Sequence, residues 1–299
     1  MGVKKEEIYH FQEGKIRIFD LELGLDLEEE ADLPSLKGLD LIPQHLKNGL
    51  RVQIEKSFDQ HVIQAHLEKD GVFHGQWSLF YEDGTLKAKV YYAEGHLHGP
   101  AFFYSQSGQL LSESWYIRGK KFGKVRQYYL SGAQYSVQRF VEDLREGLQE
   151  YFYENGNPKT KMHYVRGHQE GITKLYYSNR QLKREIHFKG DKKMGSDRFW
   201  NTSGVLIEEC FFKDHTPYQH HRKWYDSGAL KEEKVYFDSP KLFDIQRFSL
   251  DGKLIFKGKY NPKDHSYRSQ IFNEKEEIVF NEKGIWDGNC VTQIEYDTK

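Results

Sequence analysis

Four pairs of side chains have the types and spacing to grip a ligand: Arg126 and Tyr128, Lys174 and Tyr176, Arg198 and Trp200, Arg222 and Trp224. Residues two apart on a strand share a face, so each pair sets a cation beside a ring. A ladder of such pairs is suited to an anionic surface, with bases or lipid headgroups stacking on the rings. The competing use of the same cations is internal. Glu185, Glu208 or Glu209, and Glu232 or Glu233 stand where cross-strand ion pairs could form. With 44 Lys plus Arg against 45 Asp plus Glu, the net charge is −1. That argues against a dedicated nucleic-acid binder, which carries a basic excess.

Other chemistry is weaker in the sequence. His215, His220 and His221 cluster near Asp214 and Asp238, yet zinc wants four ligands, or three and a water, and no ligand motif is present. His163 and His187 fall one repeat apart, which on a sheet means about 10 Å. The segment GDKKMGS from Gly190 has glycines at phosphate-loop spacing but lacks the Lys-Ser pair and a following helix, so it reads as a turn. Cys210, between Ile207 and Phe211, reads as a packed, inert thiol. No Ser/His/Asp or paired-carboxylate spacing stands out. The expectation is a protein that is not an enzyme, with no cofactor and no metal.

The elements that must position these residues are set by a repeat. Gly75, Gly99, Gly123, Gly147, Gly171 and Gly195 follow one another at a constant step of 24. Gly84, Gly108, Gly132, Gly156, Gly204, Gly228 and Gly252 keep the same step, with Arg180 as the exception. An aromatic column runs Phe80, Tyr104, Tyr128, Phe152, Tyr176, Trp200, Trp224, Phe248, Phe272, and a second begins at Tyr92. Leu86, Leu110, Leu182, Leu206, Leu230 and Leu254 form another column. Each repeat reads as two strands around a Gly turn, a β-hairpin. The fold class is therefore all-β: an elongated antiparallel hairpin meander. Nine repeats advancing about 10 Å each predict a ribbon of roughly 90 Å.

Turn chemistry bears on register. Ser107, Ser131, Ser203 and Ser227 precede the turn glycine, and serine is a poor residue for the positive φ that a two-residue type I′ turn needs. A type I turn followed by a left-handed glycine asks that only of the glycine. Three-residue turns such as Glu82-Asp83-Gly84 are thus expected, with Phe80 opposite Leu86 and with Phe80, Leu86 and Tyr92 on one face. The two-residue register would instead pair Lys174 with Glu185, Arg198 with Glu209 and Arg222 with Glu233. Those pairs are worth about 0.2–1 kcal/mol each. Burying an aromatic or leucine is worth about 1.5–3 kcal/mol, which favours the three-residue turn.

The ends read differently. Residues 1–48 are expected to form an N-terminal cap, with a candidate hairpin in EIYHFQEGKIRIF and a short helix within Leu33 to Asn48. Residues 49–284 carry the hairpin repeats, the first of them degenerate, and an insertion at Asp238 to Lys241 is expected to loosen the array locally. Residues 285–299 are expected to cap the far edge. Mean hydropathy is −0.81, and no apolar run reaches the roughly 18–20 residues of a membrane helix. The start has no signal-peptide core, and Cys210 and Cys290 make no CxxC. A cytoplasmic protein with free thiols is the expectation.

The repeats HGQWSLFYEDGTLKAKVYY, EGLQEYFYENGNPKTKMHY and HHRKWYDSGALKEEKVYF resemble the variant MORN repeat, in particular the bacterial YwqK-type antitoxin family. The resemblance covers roughly residues 70–260, with Arg180 and Gln219 departing from the glycine columns. It implies a hairpin meander used for binding and scaffolding, with a nominal antitoxin role, and no catalytic motif. The function expected is a non-enzymatic scaffold for a protein partner, with antitoxin-like neutralisation by binding. The alternative is a peripheral binder of anionic lipid or nucleic acid through Arg126, Tyr128, Lys174, Tyr176, Arg198, Trp200, Arg222 and Trp224.

Overall fold

The computed structural model describes residues 10–12, 15–17, 50–56, 62–237, 240–261, 263–286 and 291–298. Every element in them is a strand or turn, and every ladder is antiparallel. The expected helix within Leu33 to Asn48 lies outside the described residues. His10–Gln12 pairs with Lys15–Arg17. The chain divides into two compact units, residues 1–156 and 157–299.

In the N-terminal unit, Leu50–Lys56, Val62–Lys69, Val72–Phe80, Leu86–Ala93, His96–Tyr104 and Leu110–Ile117 pair in sequence order. The meander continues through Gly123–Tyr128, Gln134–Val141 and Gly147–Phe152. In the C-terminal unit, the same neighbour-to-neighbour pairing runs from Pro158–Val165 to Val291–Thr298. A single-layer sheet of this kind holds its core in rows that run across the strands.

Two kinds of turn alternate. In the first, Gly84 donates its N–H to the Tyr81 carbonyl at 2.9 Å, and Tyr81 donates to the Thr85 carbonyl at 2.8 Å. The turn is the expected three-residue one, and Gly84 takes the left-handed conformation, φ 84°. In the second, both residues of a two-residue connection have positive φ, as at Asp70 (52°) and Gly71 (77°), or Asp214 (50°) and His215 (66°). That is the type I′ requirement, and it suits Asp, Asn and Gly best.

The register combines both sequence-based alternatives. Phe80 faces Leu86, but the next pair is Leu79 with Ala88. Lys87 is therefore an extra residue, a β-bulge that shifts the ladder by one. Beyond the bulge the two-residue register holds, and Lys174 faces Glu185, Arg198 faces Glu209, and Arg222 faces Glu233. The aromatic–leucine pair and the ion pairs are thus both made. One expectation is corrected. Tyr92 pairs with Gly75, in the alternation of Trp77 and Leu79, so the bulge turns it to the face opposite Phe80. Its ring lies 5.7 Å from Trp77 and 5.3 Å from Phe73.

The Gly75 column marks a second bulge. His66 pairs with Trp77 and Glu68 with Phe73, so residues 74–76 oppose one residue. Gly75 has φ 82° there, and Gln219, in the same column, holds φ 60°. Past Tyr236 this bulge disappears: Tyr236 faces Phe243 in an unbroken ladder. Of the expected insertion, Asp238 lies outside the described residues, while Phe237 closes the connection by donating to the Leu242 carbonyl at 2.9 Å.

Neighbouring repeats are tied at both edges. The Tyr81 hydroxyl donates to the Tyr104 carbonyl, and Tyr129 to Phe152, Tyr177 to Trp200 and Tyr225 to Phe248, each at 2.9 Å. At the type I′ edge, the N–H groups of Gly95, Gly119, Asp191 and His215 donate to Phe73, Leu97, Gln169 and Lys193 of the preceding repeat.

Candidate functional sites on the two sheet faces

On the face carrying the Phe80 column, the C-terminal unit presents a row of charges running across the strands. Pairing aligns Lys161, Lys174, Glu185, Arg198, Glu209, Arg222 and Glu233. Arg198 Nε donates to Glu209 at 2.7 Å, and its guanidinium lies 3.9 Å from Glu185. Arg222 Nε donates to Glu233 at 2.7 Å, and Lys174 lies 3.5 Å from Glu185. The cations are thus engaged by glutamates between them, in pairs worth about 0.2–1 kcal/mol at this exposure.

Next to this charge row, toward the three-residue turns, runs the ring column. Tyr176 faces Leu182, Trp200 faces Leu206, and Trp224 faces Leu230, all half-buried. Six of the sequence-derived residues (Lys174, Tyr176, Arg198, Trp200, Arg222, Trp224) therefore share one face of one unit. Arg126 and Tyr128 belong to the other unit. There Arg126 pairs with Glu113, and Tyr128 faces Gln134. Burial, aided by Glu113, raises the Tyr128 phenol above its ordinary value.

The histidines do not converge. His220 lies 3.5 Å from Glu233 on the charge-row face, and His221 bonds Glu208 on the other. His215 Nδ1 accepts from the Lys193 N–H, and Asp238 lies outside the described residues. His187 faces Ile172 and contacts Ser196, while His163 faces Glu170.

The opposite face carries a central row that is largely buried, with His221 and Lys234 half-buried. In the C-terminal unit it reads Thr173, Ile186, Asp197, Cys210, His221, Lys234, Ile245, Gly258 and Ser269. Small and aliphatic residues fit this crowded row, yet Asp197 sits in it with 7 % of its side chain exposed. Arg184 donates to it from Nε and Nη2, both at 2.8 Å, and Lys193 Nζ donates at 2.7 Å. Burial alone would raise the Asp197 carboxyl. The hydrogen bonds and charges of Arg184 and Lys193 outweigh burial and hold it below the ordinary range.

Beside this triad lies a second polar group. His221 Nε2 donates to Glu208 Oε1 at 2.7 Å, and Nδ1 lies 3.4 Å from the Tyr236 hydroxyl. The His221 bond lowers the Glu208 carboxyl against the effect of its burial. A pocket of about 340 Å³ opens between the two groups, walled by Phe199, Phe212 and Pro217 and floored by Cys210 and Tyr236. Burial pushes the Cys210 thiol up to about 11, with Asp197 and Glu208 adding to the rise. Burial likewise pushes the Tyr236 phenol to about 12. Neither group is poised as a nucleophile or base near neutrality.

Reasoning on the sequence passed over this pocket, although a signal existed. In the 24-residue column of Ala101, Val125, Thr173 and Ile245, only Asp197 and His221 can ionise.

Residues 73–94, 145–166 and 169–189 match the MORN repeat variant. Those three segments are similar to MORN-type repeats, which are generally binding or scaffold modules and typically non-catalytic. No curated protein matches the chain. Two solved structures align with 92 % of it at 10 % identity: TcdB2-TccC3 without its hypervariable C-terminal region, TM-score 0.19, and TcdB2-TccC3-TEV, TM-score 0.18. The alignments span 16 % and 18 % of those chains, and likeness at this level bears on neither fold nor function. No helix among the described residues is long and apolar enough to cross a membrane.

Proposed function

We propose that the protein is a non-enzymatic scaffold that binds a protein partner through the ring column of the charge-row face, acting in the cytoplasm. Antitoxin-like neutralisation by binding is the specific form this takes. The observation that carries the reading is the internal engagement of Arg198 and Arg222 by Glu209 and Glu233. With those charges satisfied within the sheet, the half-buried rings Tyr176, Trp200 and Trp224 are the side chains left to supply contact energy. Aromatic side chains are the usual anchors of protein interfaces. The raised Cys210 and Tyr236 groups and the generally non-catalytic character of MORN repeats support the absence of chemistry.

The test is capture of partners from the native source by wild type and variants. Trp200→Ala and Trp224→Ala are each expected to cut capture at least tenfold, and Cys210→Ser to leave it unchanged. Capture insensitive to both tryptophans would remove the proposed surface. Loss of binding by orders of magnitude between about 50 and 200 mM salt would instead favour an anionic lipid or nucleic acid as the ligand.

A further inference from the structure

We propose that the pocket beside Asp197 binds a carboxylate and a cation carried on one short apolar stem, the chemistry of a peptide that ends in lysine or arginine. The site lies on the face opposite the ring column, so it stands independently of the function proposed above.

One end of the pocket is positive. Arg184 and Lys193 share the single carboxylate of Asp197, which leaves one cationic charge over. Their remaining donors, Nη1 of Arg184 and two N–H of Lys193, make no hydrogen bond among the described residues. The other end is negative. Glu208 spends Oε1 on His221, its Oε2 makes no hydrogen bond among the described residues, and 44 % of its side chain is exposed. Glu208 is the carboxylate of that end, and Lys223 faces it across the ladder without an ion pair among the described residues.

Spacing and walls then select the ligand. Arg184 and Glu208 both pair with Phe199, one on each side, so they stand two strands apart, about 10 Å at the backbone and less between their side-chain ends. A terminal carboxylate and the side-chain cation of the same lysine span a comparable distance. Phe199, Phe212 and Pro217 line the space between, where a methylene stem can lie against apolar surface. A simple anion would meet Glu208, and a simple cation would meet Lys193. A ligand carrying both charges satisfies both ends. The volume of about 340 Å³ is at the small end of ligand clefts.

The experiment is calorimetric titration of the whole protein at about pH 8 with acetyl-Ala-Ala-Lys, its C-terminal amide, and the norleucine analogue. The free acid is expected to bind with a Kd on the order of 1 mM, ordinary for a ligand of this size. The amide, which lacks the carboxylate, and the norleucine peptide, which lacks the cation, should each bind at least tenfold more weakly. Glu208→Gln should weaken the lysine peptide tenfold while leaving its binding relative to the amide in place. Equal binding of the three peptides, no binding of any, or an unchanged Kd in a folded Glu208→Gln protein would overturn the proposal. Should that variant not fold, the three peptides on wild type decide it.

Discussion

Gln219 holds φ 60° at a position where preceding repeats place glycine. A left-handed conformation costs a residue with a Cβ about 1–2 kcal/mol, partly offset by the extra freedom glycine brings to the unfolded chain. Gln219→Gly is expected to raise stability by about 0.5–1 kcal/mol, read as a higher denaturant midpoint with unchanged slope. Arg180, at φ 73°, should gain less from the same change, because its Nε donates to Asn157 at 2.6 Å. Gly258 presents the reverse case. A Cβ there would lie 2.0 Å from the Tyr267 hydroxyl and 2.7 Å from Ile245 Cγ2, so Gly258→Ala should cost about 1–3 kcal/mol through overpacking. The carboxylates of the pocket set a pH dependence. Asp197 and Glu208 both have folded-state values below the ordinary ones. The stability they contribute is therefore complete above the unfolded-state values, about 4, and is lost as pH falls through the folded ones. Thermal melts between about pH 5 and pH 2 should show this loss, and Asp197→Asn should flatten it while lowering the melt at neutral pH. A melting temperature equally acid-sensitive in the variant would reject the assignment.

At the scale of the hairpin, the tyrosine after the ring column acts as a clamp on the next repeat. Tyr177→Phe and Tyr225→Phe should each cost about 1 kcal/mol. The two sites are two repeats apart, so the costs should add in the double variant; strong coupling would mean the clamps work through something shared. Lys87, Lys183 and Lys231, the extra residues of the bulges, lie over the rings of Tyr81, Tyr177 and Tyr225 at 5.3–5.4 Å. The bulge thus places its inserted side chain on the clamp. Strands, turns and the three-residue connection were legible in the sequence because glycine spacing and serine's dislike of positive φ each point one way. The bulge was not legible. Aromatic–leucine packing and the ion pairs demand registers one residue apart, and treating them as rivals hid the insertion that serves both. That omission also misplaced Tyr92, since one inserted residue reverses every side chain beyond it. Of the sites, the charge row could be drawn from Lys174, Arg198 and Arg222 alone. For the pocket, the sequence marks only Asp197 and His221 as out of place in their column; that Asp197 and Glu208 meet shows only across a ladder.

For the molecule as a whole, a period held at 24 residues makes the array divisible. Removing residues 100–123 joins Gly99 to Lys124 and leaves every remaining residue in its column. The shortened chain should fold with an unchanged strand signature by circular dichroism and a melting point a few degrees lower, as expected when stability sums over neighbours. Removing 23 residues from the same place should expose apolar side chains and give a protease-sensitive product. A 24-residue deletion that unfolds the chain would show that the repeats are not interchangeable. Neighbour-only tethering also has a kinetic meaning. The Tyr177 bond to Trp200 and the Asp191 bond to Gln169 each close a loop of about two dozen residues. Closing a short loop costs little entropy, and proteins rich in local contacts cross their folding barrier early and fast. A growing chain can therefore lay down each hairpin on the last as it leaves the ribosome, without waiting for distant sequence to arrive.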